Sequence, residues 1–257
     1  MLCGFVRPSS GSAEVLGQPL TNLPLGRMAA LPQDARFHPE RTLEDSLRFM
    51  AELQGLDPAR ARQETDRVLD AVDLNDARRV RGKALSHGMA KRFGIAQAFL
   101  GTPELVLLDE PTEGLDPRNA HTVRQTIRAM AGHSTVLVSS HNLSEVEDLC
   151  DHAAIIDHGK LVTQASLAEL TGQDHQILVQ LGKAGTGAVA ALKGLSRVAG
   201  VQASADGLTI RVTLRPGKGE SVEDAITEVL GALMKSGAAI GTIVRGQKLE
   251  EKFLELT

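Results

Sequence analysis

The first part of the chain changes from short strand patterns to a long region of helical spacing. Two short apolar runs bounded by turn residues, Gly11 to Gly17 and Arg27 to Leu31, are typical of strands. From Thr42 to Leu100 apolar residues recur at helical spacing, and Thr42 stands before two acids as an N-cap residue does. The first apolar stripe of this region comprises Leu43, Leu47, Met50 and Leu53. We therefore predict a helical lobe, residues 42–100, after a set of strands.

The next region alternates apolar runs of strand length with amphipathic helical segments. This rhythm predicts a parallel sheet with helices on both faces. Ligands of such sheets bind at the carboxyl ends of the strands. The predicted elements are, in order, strand Leu105 to Leu108, helix Arg118 to Met130, strand Thr135 to Ser139, helix Leu143 to Cys150 and strand Ala153 to Ile156.

After residue 172 the pattern becomes strand, helix, strand, strand, helix, strand. This order predicts a small ferredoxin-like α+β domain, so we place the domain boundary between residues 172 and 173. A short terminal helix from Lys248 to Leu256 follows. The predicted elements are strand Ile177 to Leu181, helix Val189 to Leu195, strands Val198 to Ala203 and Leu208 to Leu214, helix Val222 to Met234 and strand Ile240 to Val244.

Composition removes several classes of function. Apolar residues make up 42% of the chain without a long uncharged run, so no membrane span is predicted. A net charge of −4 and only six aromatic residues, all Phe, give no reason to expect a nucleic-acid partner. The two cysteines, Cys3 and Cys150, are too few for a disulfide framework or a zinc quartet. No signal peptide is recognised from Met1 onward, and we expect a cytoplasmic protein.

The apolar run Leu105 to Leu108 ends abruptly in two acids, Asp109 and Glu110. One interpretation is a strand that simply runs out into solvent. In the other, the first carboxylate binds Mg²⁺, a hard cation that prefers oxygen ligands, and the second activates an attacking water.

Four further sequence features occur around this pair in a fixed order. Leu85-Ser86-His87-Gly88-Met89 stands upstream, and Gly114-Leu115-Asp116-Pro117 follows closely. Gln33 lies after the second predicted strand, and His141 lies after the strand that ends at Ser139. In order and spacing these features resemble the ABC ATPase family. The resemblance implies a P-loop NTPase-like core over residues 1–172, with the ferredoxin-like domain over residues 173–257 as an accessory.

The resemblance also assigns roles around ATP and Mg²⁺. It implies that Asp109 is the Walker-B acid that binds Mg²⁺ and that Glu110 is the general base for attack on the γ-phosphate. It makes His141 the switch histidine that contacts the γ-phosphate. Gln33 would lie in the Q-loop, which senses Mg²⁺ and water and connects the core to the helical lobe.

A second group of residues is expected to act on a partner's nucleotide. Ser86 and Gly88 resemble the family's signature motif, in which a capped helix N-terminus binds the γ-phosphate held by the opposite subunit. Asp116 would be the D-loop acid at the dimer interface. His87 stands where Gly is usual, and its side chain would either hinder close backbone approach to phosphate or add a hydrogen-bond donor and partial positive charge. The basic residues nearby are interpreted as a solvated helix face: Arg78, Arg79, Arg81, Lys83, Lys91 and Arg92.

One expected element is missing from the 257 residues. The P-loop pattern G-x-x-x-x-G-K-[ST] does not occur in them, and neither does the aromatic that stacks on adenine. The chain is therefore expected to be an incomplete ATPase by itself, with a misassigned start or a truncated gene copy preferred over a working short form.

The C-terminal part resembles ATPases of ABC-2-type exporters for drugs, sodium, copper-related or gliding-linked systems. This implies a separate membrane permease, a second ATPase subunit and a location on the inner face of the cell membrane. Two alternatives stay open. One is a non-catalytic subunit that donates its signature motif to a partner's site. The other is a soluble ABC ATPase of repair or translation, although the long coiled coils, zinc inserts and tandem domains of those proteins are absent.

Overall fold

The computed structural model describes residues 6–19, 22–132, 134–172, 175–183, 187–217 and 220–257. Cys3, and the predicted domain start at residue 173, lie outside these ranges. Contacts divide the chain into two compact units, residues 1–142 and 143–257. This division by packing lies within the proposed ATPase core, and the functional boundary at residue 172 stays a prediction.

The strands of the first unit form two small sheets. A hairpin of β1 (Glu14–Val15) and β2 (Gln18–Pro19) replaces the single strand predicted there, because Leu16 and Gly17 both adopt positive φ and reverse the chain. The other sheet is parallel and has three strands in the order β3 (Met28–Leu31), β4 (Leu105–Asp109) and β5 (Thr135–Ser139).

Four α-helices are described in this unit, and their first turns are capped by side chains. They are α1 (Leu43–Leu53), α2 (Pro58–Ala71), α3 (His87–Ala98) and α4 (Pro117–Ala131). The predicted cap at Thr42 is confirmed, since its side chain accepts from the Asp45 N–H. The predicted stripe is wrong at Leu53, which is 63% exposed while Ala51 is buried. Leu53 lies too far around the helix from Leu47 to face the core.

Helix α3 packs against the parallel sheet through a small residue. A Cβ on Gly94 would meet a Leu31 methyl at 2.8 Å, so glycine lets the helix approach the end of β3 closely. Phe93 on the same helix is fully buried and meets Phe37 edge to face, with ring centroids 4.9 Å apart. These contacts fix α3 beside the loop that follows β3.

The second unit begins with α5 (Leu143–Leu149) and a hairpin of β6 (His152–Asp157) and β7 (Lys160–Ser166), followed by α6 (Leu167–Thr171). The expectation that Ala153 to Ile156 continues the parallel sheet is wrong, because β6 pairs antiparallel with β7. The two-residue turn His158-Gly159 has positive φ at both positions, which is the geometry of a tight hairpin.

The remaining residues form the predicted α+β domain. Its strands are β8 (Gln176–Leu181), β9 (Val198–Ala203), β10 (Thr209–Leu214) and β11 (Ile240–Arg245), and its helices are α7 (Ala188–Lys193), α8 (Val222–Lys235) and α9 (Leu249–Leu256). All neighbours in the sheet order β11-β8-β10-β9 are antiparallel. This is the ferredoxin-like arrangement, and the predicted fold class is confirmed.

Among the described residues, no helix combines the length and hydropathy that a membrane span requires.

Candidate functional site

The three parallel strands of the first unit end at one edge of their sheet. Leu31 pairs with Leu108, and Asp109 pairs with Ser139, so the strand ends are in register. Residues just beyond these ends, including Gln33, Glu110 and His141, therefore emerge at the same edge. This is the edge at which parallel sheets bind ligands.

Asp109 is the last residue of β4, and the Ser139 hydroxyl donates a hydrogen bond to its carboxylate. The residue is exposed to solvent. An exposed carboxylate beside a hydroxyl offers hard oxygen donors, the chemistry that Mg²⁺ prefers when it also binds phosphate oxygens. The donor set at this strand end therefore fits a magnesium ion.

Glu110 leaves the strand in an unusual backbone conformation, with a φ of +45°. Its N–H donates to the Ser139 carbonyl at 3.1 Å. Its carboxylate oxygen Oε1 accepts two hydrogen bonds from His141, one from the backbone N–H at 3.0 Å and one from Nδ1 at 2.8 Å. The structure thus brings the two predicted catalytic residues into direct contact.

The Glu110 and His141 side chains differ in exposure. The Glu110 side chain is 16% exposed, while the His141 side chain is 72% exposed. Because Nδ1 donates to the carboxylate, the neutral ring would carry its in-plane lone pair on Nε2. The arrangement orients one carboxylate oxygen beside a largely exposed imidazole.

Gln33 lies two residues after β3 and is exposed. Its side-chain amide donates to the carboxylate of Glu113, which follows the Asp109-Glu110 pair by a short turn. The Glu113 N–H in turn donates to the Glu110 carbonyl at 3.3 Å. Gln33 is therefore connected to the Glu110 loop through Glu113, a residue that the sequence did not single out.

Ser86 is the N-cap of α3, as predicted, and its hydroxyl accepts from the Met89 N–H at 3.3 Å. Asp116 is the N-cap of α4 and accepts from the N–H groups of Arg118 and Asn119. The Asn119 N–H and then its side-chain amide lower the pKa of the Asp116 carboxyl below its ordinary value, so Asp116 stays ionised at neutral pH.

These two helix N-termini line a common cavity of about 290 Å³. Its lining includes Ser86, His87, Gly88, Gly114, Asp116 and Asn119. Asp109, Glu110 and His141 do not line it. The predicted residues therefore fall into two groups, one at the strand ends and one at the helix N-termini.

His87, the first residue of α3 and the one that departs from the usual signature pattern, has its side chain against the turn after β4. Its Nε2 is 3.4 Å from the Glu113 carbonyl, and a Cβ on Gly114 would come within 3.0 Å of it. The imidazole therefore fills space between the signature segment, Leu85 to Met89, and the turn that leads to Asp116.

Lys91 is a functional candidate that the sequence interpretation missed. The sequence placed it on a solvated basic face, yet its ammonium donates to the backbone carbonyls of Glu110 at 3.1 Å and Gln33 at 3.3 Å. Lys91 lies one helical turn after His87, so both side chains emerge on the same face of α3. That spacing indicates a face shared with His87, but not the acceptors that Lys91 reaches.

Comparisons with known proteins agree on a family. The sequence model of a family described as ABC transporter matches residues 1–113. The daunorubicin resistance ATP-binding protein DrrA3 of Streptomyces coeruleorubidus is 33% identical, and the alignment covers 100% of this chain and 81% of that protein. The bacitracin transport ATP-binding protein BcrA of Bacillus licheniformis is 35% identical, covering 69% of this chain and 59% of that protein.

A solved structure described as an ATP-binding subunit of an ABC transporter matches with a TM-score of 0.59 and 28% identity, covering 67% of this chain and 73% of that one. The chain spans little more than half of several other relatives. The daunorubicin/doxorubicin resistance protein DrrA of Streptomyces peucetius, for example, is 37% identical over 66% of this chain and 53% of its own length.

Proposed function

Since this chain belongs to the family of ABC transporter ATP-binding proteins, we propose that its residues form part of an ATP-hydrolysing site that powers a separate membrane permease. The observation that carries this proposal is the Glu110 carboxylate, oriented by two hydrogen bonds from His141 at the end of a parallel strand. An oriented carboxylate at this edge is suited to take a proton from a water molecule.

In this mechanism Glu110 is the general base. Both His141 bonds end on Oε1, so we assign the water to Oε2. His141 keeps the carboxylate in one rotamer, and its exposed ring contacts the γ-phosphate. Holding the base and the reacting phosphorus in place lowers the entropic part of the barrier.

Asp109 would bind Mg²⁺, which neutralises charge on the β- and γ-phosphates when it is bound. The exposed Asp109 carboxylate and the neighbouring Ser139 hydroxyl support this assignment. Gln33 would reach the same region from the loop after β3. In the structure its amide is bound to Glu113, so this role requires Gln33 to exchange partners.

Ser86 and Gly88 are assigned to the γ-phosphate of the nucleotide held by a second subunit, and Asp116 is assigned to the dimer interface. The N–H groups of a capped helix start attract anions, and Ser86 caps α3 at the cavity that these residues share. We propose a head-to-tail dimer in which each signature segment closes over the other subunit's nucleotide. Asp116 then lies at the dimer interface.

The partner we propose is a permease of the ABC-2 type, bound through the helical lobe, with the ATPase on the cytoplasmic face of the cell membrane. The names of the relatives, which refer to daunorubicin resistance and bacitracin transport, support an export system. ATP-driven closure of the two ATPase subunits would move the permease between inward-facing and outward-facing states.

A second function, donation of the signature residues to a partner's site, is favoured by one specific observation. The cavity around Ser86, Gly88 and Asp116 is built from residues of this chain. If this chain only donates its signature residues to a partner's site, ATP turnover would depend on Ser86 and would not depend on Glu110.

The test is ATP turnover by the protein purified from its native host, compared with Glu110→Gln. We expect turnover to fall by about 10²-fold to 10⁴-fold, the usual contribution of a general base, while ATP binding is retained. Glu250→Gln, an exposed glutamate of α9 outside both groups of site residues, is the control for removal of a carboxylate. Unchanged turnover in Glu110→Gln would reject the catalytic assignment and favour the donor function.

A further inference from the structure

Lys91 connects three separate elements of the first unit. It lies on α3, and its Nζ donates to the carbonyl of Glu110, after β4, and to the carbonyl of Gln33, after β3. Both acceptors are backbone atoms, so the contacts constrain the course of two loops and not only a side chain. The Lys91 side chain is half-buried, and Lys91 and Gln33 both line a cavity of about 320 Å³.

The Glu110 peptide is a place where such a constraint matters. A non-glycine residue at a φ of +45° stays there only when its surroundings hold it. Three backbone contacts do so: the Glu110 N–H donates to Ser139, and the Glu110 carbonyl accepts from the Glu113 N–H and from Lys91. The Lys91 contact is the one that comes from α3, and it is charge-assisted.

Other basic residues of the helical lobe form different contacts. Arg92, the next residue, donates to the carbonyls of Val72 and Asp73 within the lobe. Lys83 forms an exposed ion pair with Glu40. Lys91 therefore differs from these neighbours in what it holds, although all were grouped together by sequence.

We propose that Lys91 is a positioning residue whose ammonium fixes the backbone of Glu110 and the Gln33 loop relative to α3. A displacement of α3 then also moves the backbone of Glu110, the general base. The proposal rests on the proposed function for its catalytic consequence. Its structural part, the restraint of the Glu110 loop, stands on the two hydrogen bonds alone.

The experiment compares Lys91→Met with Lys91→Arg in the protein purified from its native host. Methionine keeps an unbranched stem and removes the ammonium, while arginine retains charged donors. Two readouts are measured: hydrogen exchange of the backbone amides in the segment 110–113, where Glu110, Thr112 and Glu113 carry an N–H and Pro111 does not, and kcat and KM for ATP. Lys83→Met is the matched control, since it removes a lysine of the same lobe whose ammonium binds the Glu40 carboxylate and neither the Glu110 nor the Gln33 carbonyl.

We expect Lys91→Met to speed exchange at residues 110–113 by about tenfold and to lower kcat by a similar factor, with KM changed less than threefold. Lys91→Arg should recover most of both effects, and Lys83→Met should show neither. Exchange and kcat equal to wild type in Lys91→Met would overturn the proposal, as would equal effects of Lys83→Met.

The two proposals fail in distinguishable ways. If exchange rises in Lys91→Met but the wild type hydrolyses no ATP, the proposed function fails while the restraint by Lys91 stands. If Glu110→Gln abolishes turnover but Lys91→Met alters neither readout, the proposed function stands and the positioning role fails. Should Lys91→Met unfold, Lys91→Ala, which also removes the ammonium, decides: exchange faster than in Lys83→Met supports the restraint, and exchange equal to that in Lys83→Met contradicts it.

Discussion

The antiparallel sheet of the second unit and the parallel sheet of the first unit differ in how their side chains are buried. In the antiparallel sheet of the second unit, inward-facing residues of β8 and β10 are buried at every second position, Ile177, Val179 and Leu181 on one strand and Ile210, Val212 and Leu214 on the other. In the parallel sheet of the first unit, β5 alternates between exposed and half-buried residues, and Leu137 is 51% exposed.

The difference teaches where each sheet concentrates its specific interactions. The antiparallel sheet gains stability from a continuous apolar face under α7 and α8. The parallel sheet collects polar groups at its strand ends, where Asp109, Glu110 and His141 meet. We infer that the antiparallel sheet of the second unit serves stability and that the parallel sheet of the first unit serves chemistry.

The sharpest way to break this comparison is to create a cavity in the antiparallel sheet. Ile177→Ala removes a fully buried side chain and should lower the free energy of unfolding of the second unit by about 2–5 kcal/mol. Unfolding in urea is followed by circular dichroism, because the sequence has no Trp or Tyr to report by fluorescence.

The matched change in the parallel sheet is Leu137→Ala. Because this leucine is half exposed, we expect a change within about 0.5 kcal/mol. Equal losses from Ile177→Ala and Leu137→Ala would show that the two sheets are not divided between stability and chemistry.

Acid titration gives a smaller effect that should be confined to the second unit. Hydrogen bonds from the Arg197 side chain, and then from the Gly217 N–H, lower the pKa of Glu220 to about 2 from an ordinary value of 4.5. A lowered pKa in the folded state stabilises the fold above pH 4.5, and this contribution is lost as the pH falls from 4.5 towards 2.

Between pH 4.5 and 2, the urea concentration at the midpoint of unfolding should therefore fall less steeply in Glu220→Gln than in the wild type. Near pH 7 the substitution should have little effect on how the midpoint changes with pH. Glu250→Gln on α9, another exposed glutamate, is the control. A midpoint that falls as steeply in Glu220→Gln as in the wild type would remove the Arg197 ion pair from the account.

Local pattern predicted the positions of most elements, because burial period and capping are short-range signals. Strand Val198 to Ala203 was predicted with the observed bounds, and Thr42 was recognised as a cap. The pairing of Ala153 to Ile156 was not predictable in the same way. An apolar run indicates a strand, but the pairing of that strand is fixed by the turn that follows, here the tight turn at His158 and Gly159.

In the candidate site, too, some features could be predicted from local sequence and others depend on tertiary structure. The motif residues could be found because their types and order are unusual, and the strand register then brings Glu110 and His141 together. The contacts of Lys91 and Glu113 could not be predicted from the sequence. A charged residue on a helix or turn does not show which polar group from a distant part of the chain lies within reach. The positive φ of Glu110 is likewise a tertiary effect.

The measurement that tests the central claim most directly is a double-mutant cycle on ATP turnover with Glu110→Gln, His141→Ala and the pair. If these side chains act as one unit at the end of the parallel sheet, each single change slows turnover and the double variant is no slower than the slower single one. Factors that multiply in the double variant, or a His141→Ala protein as fast as wild type, would contradict the account.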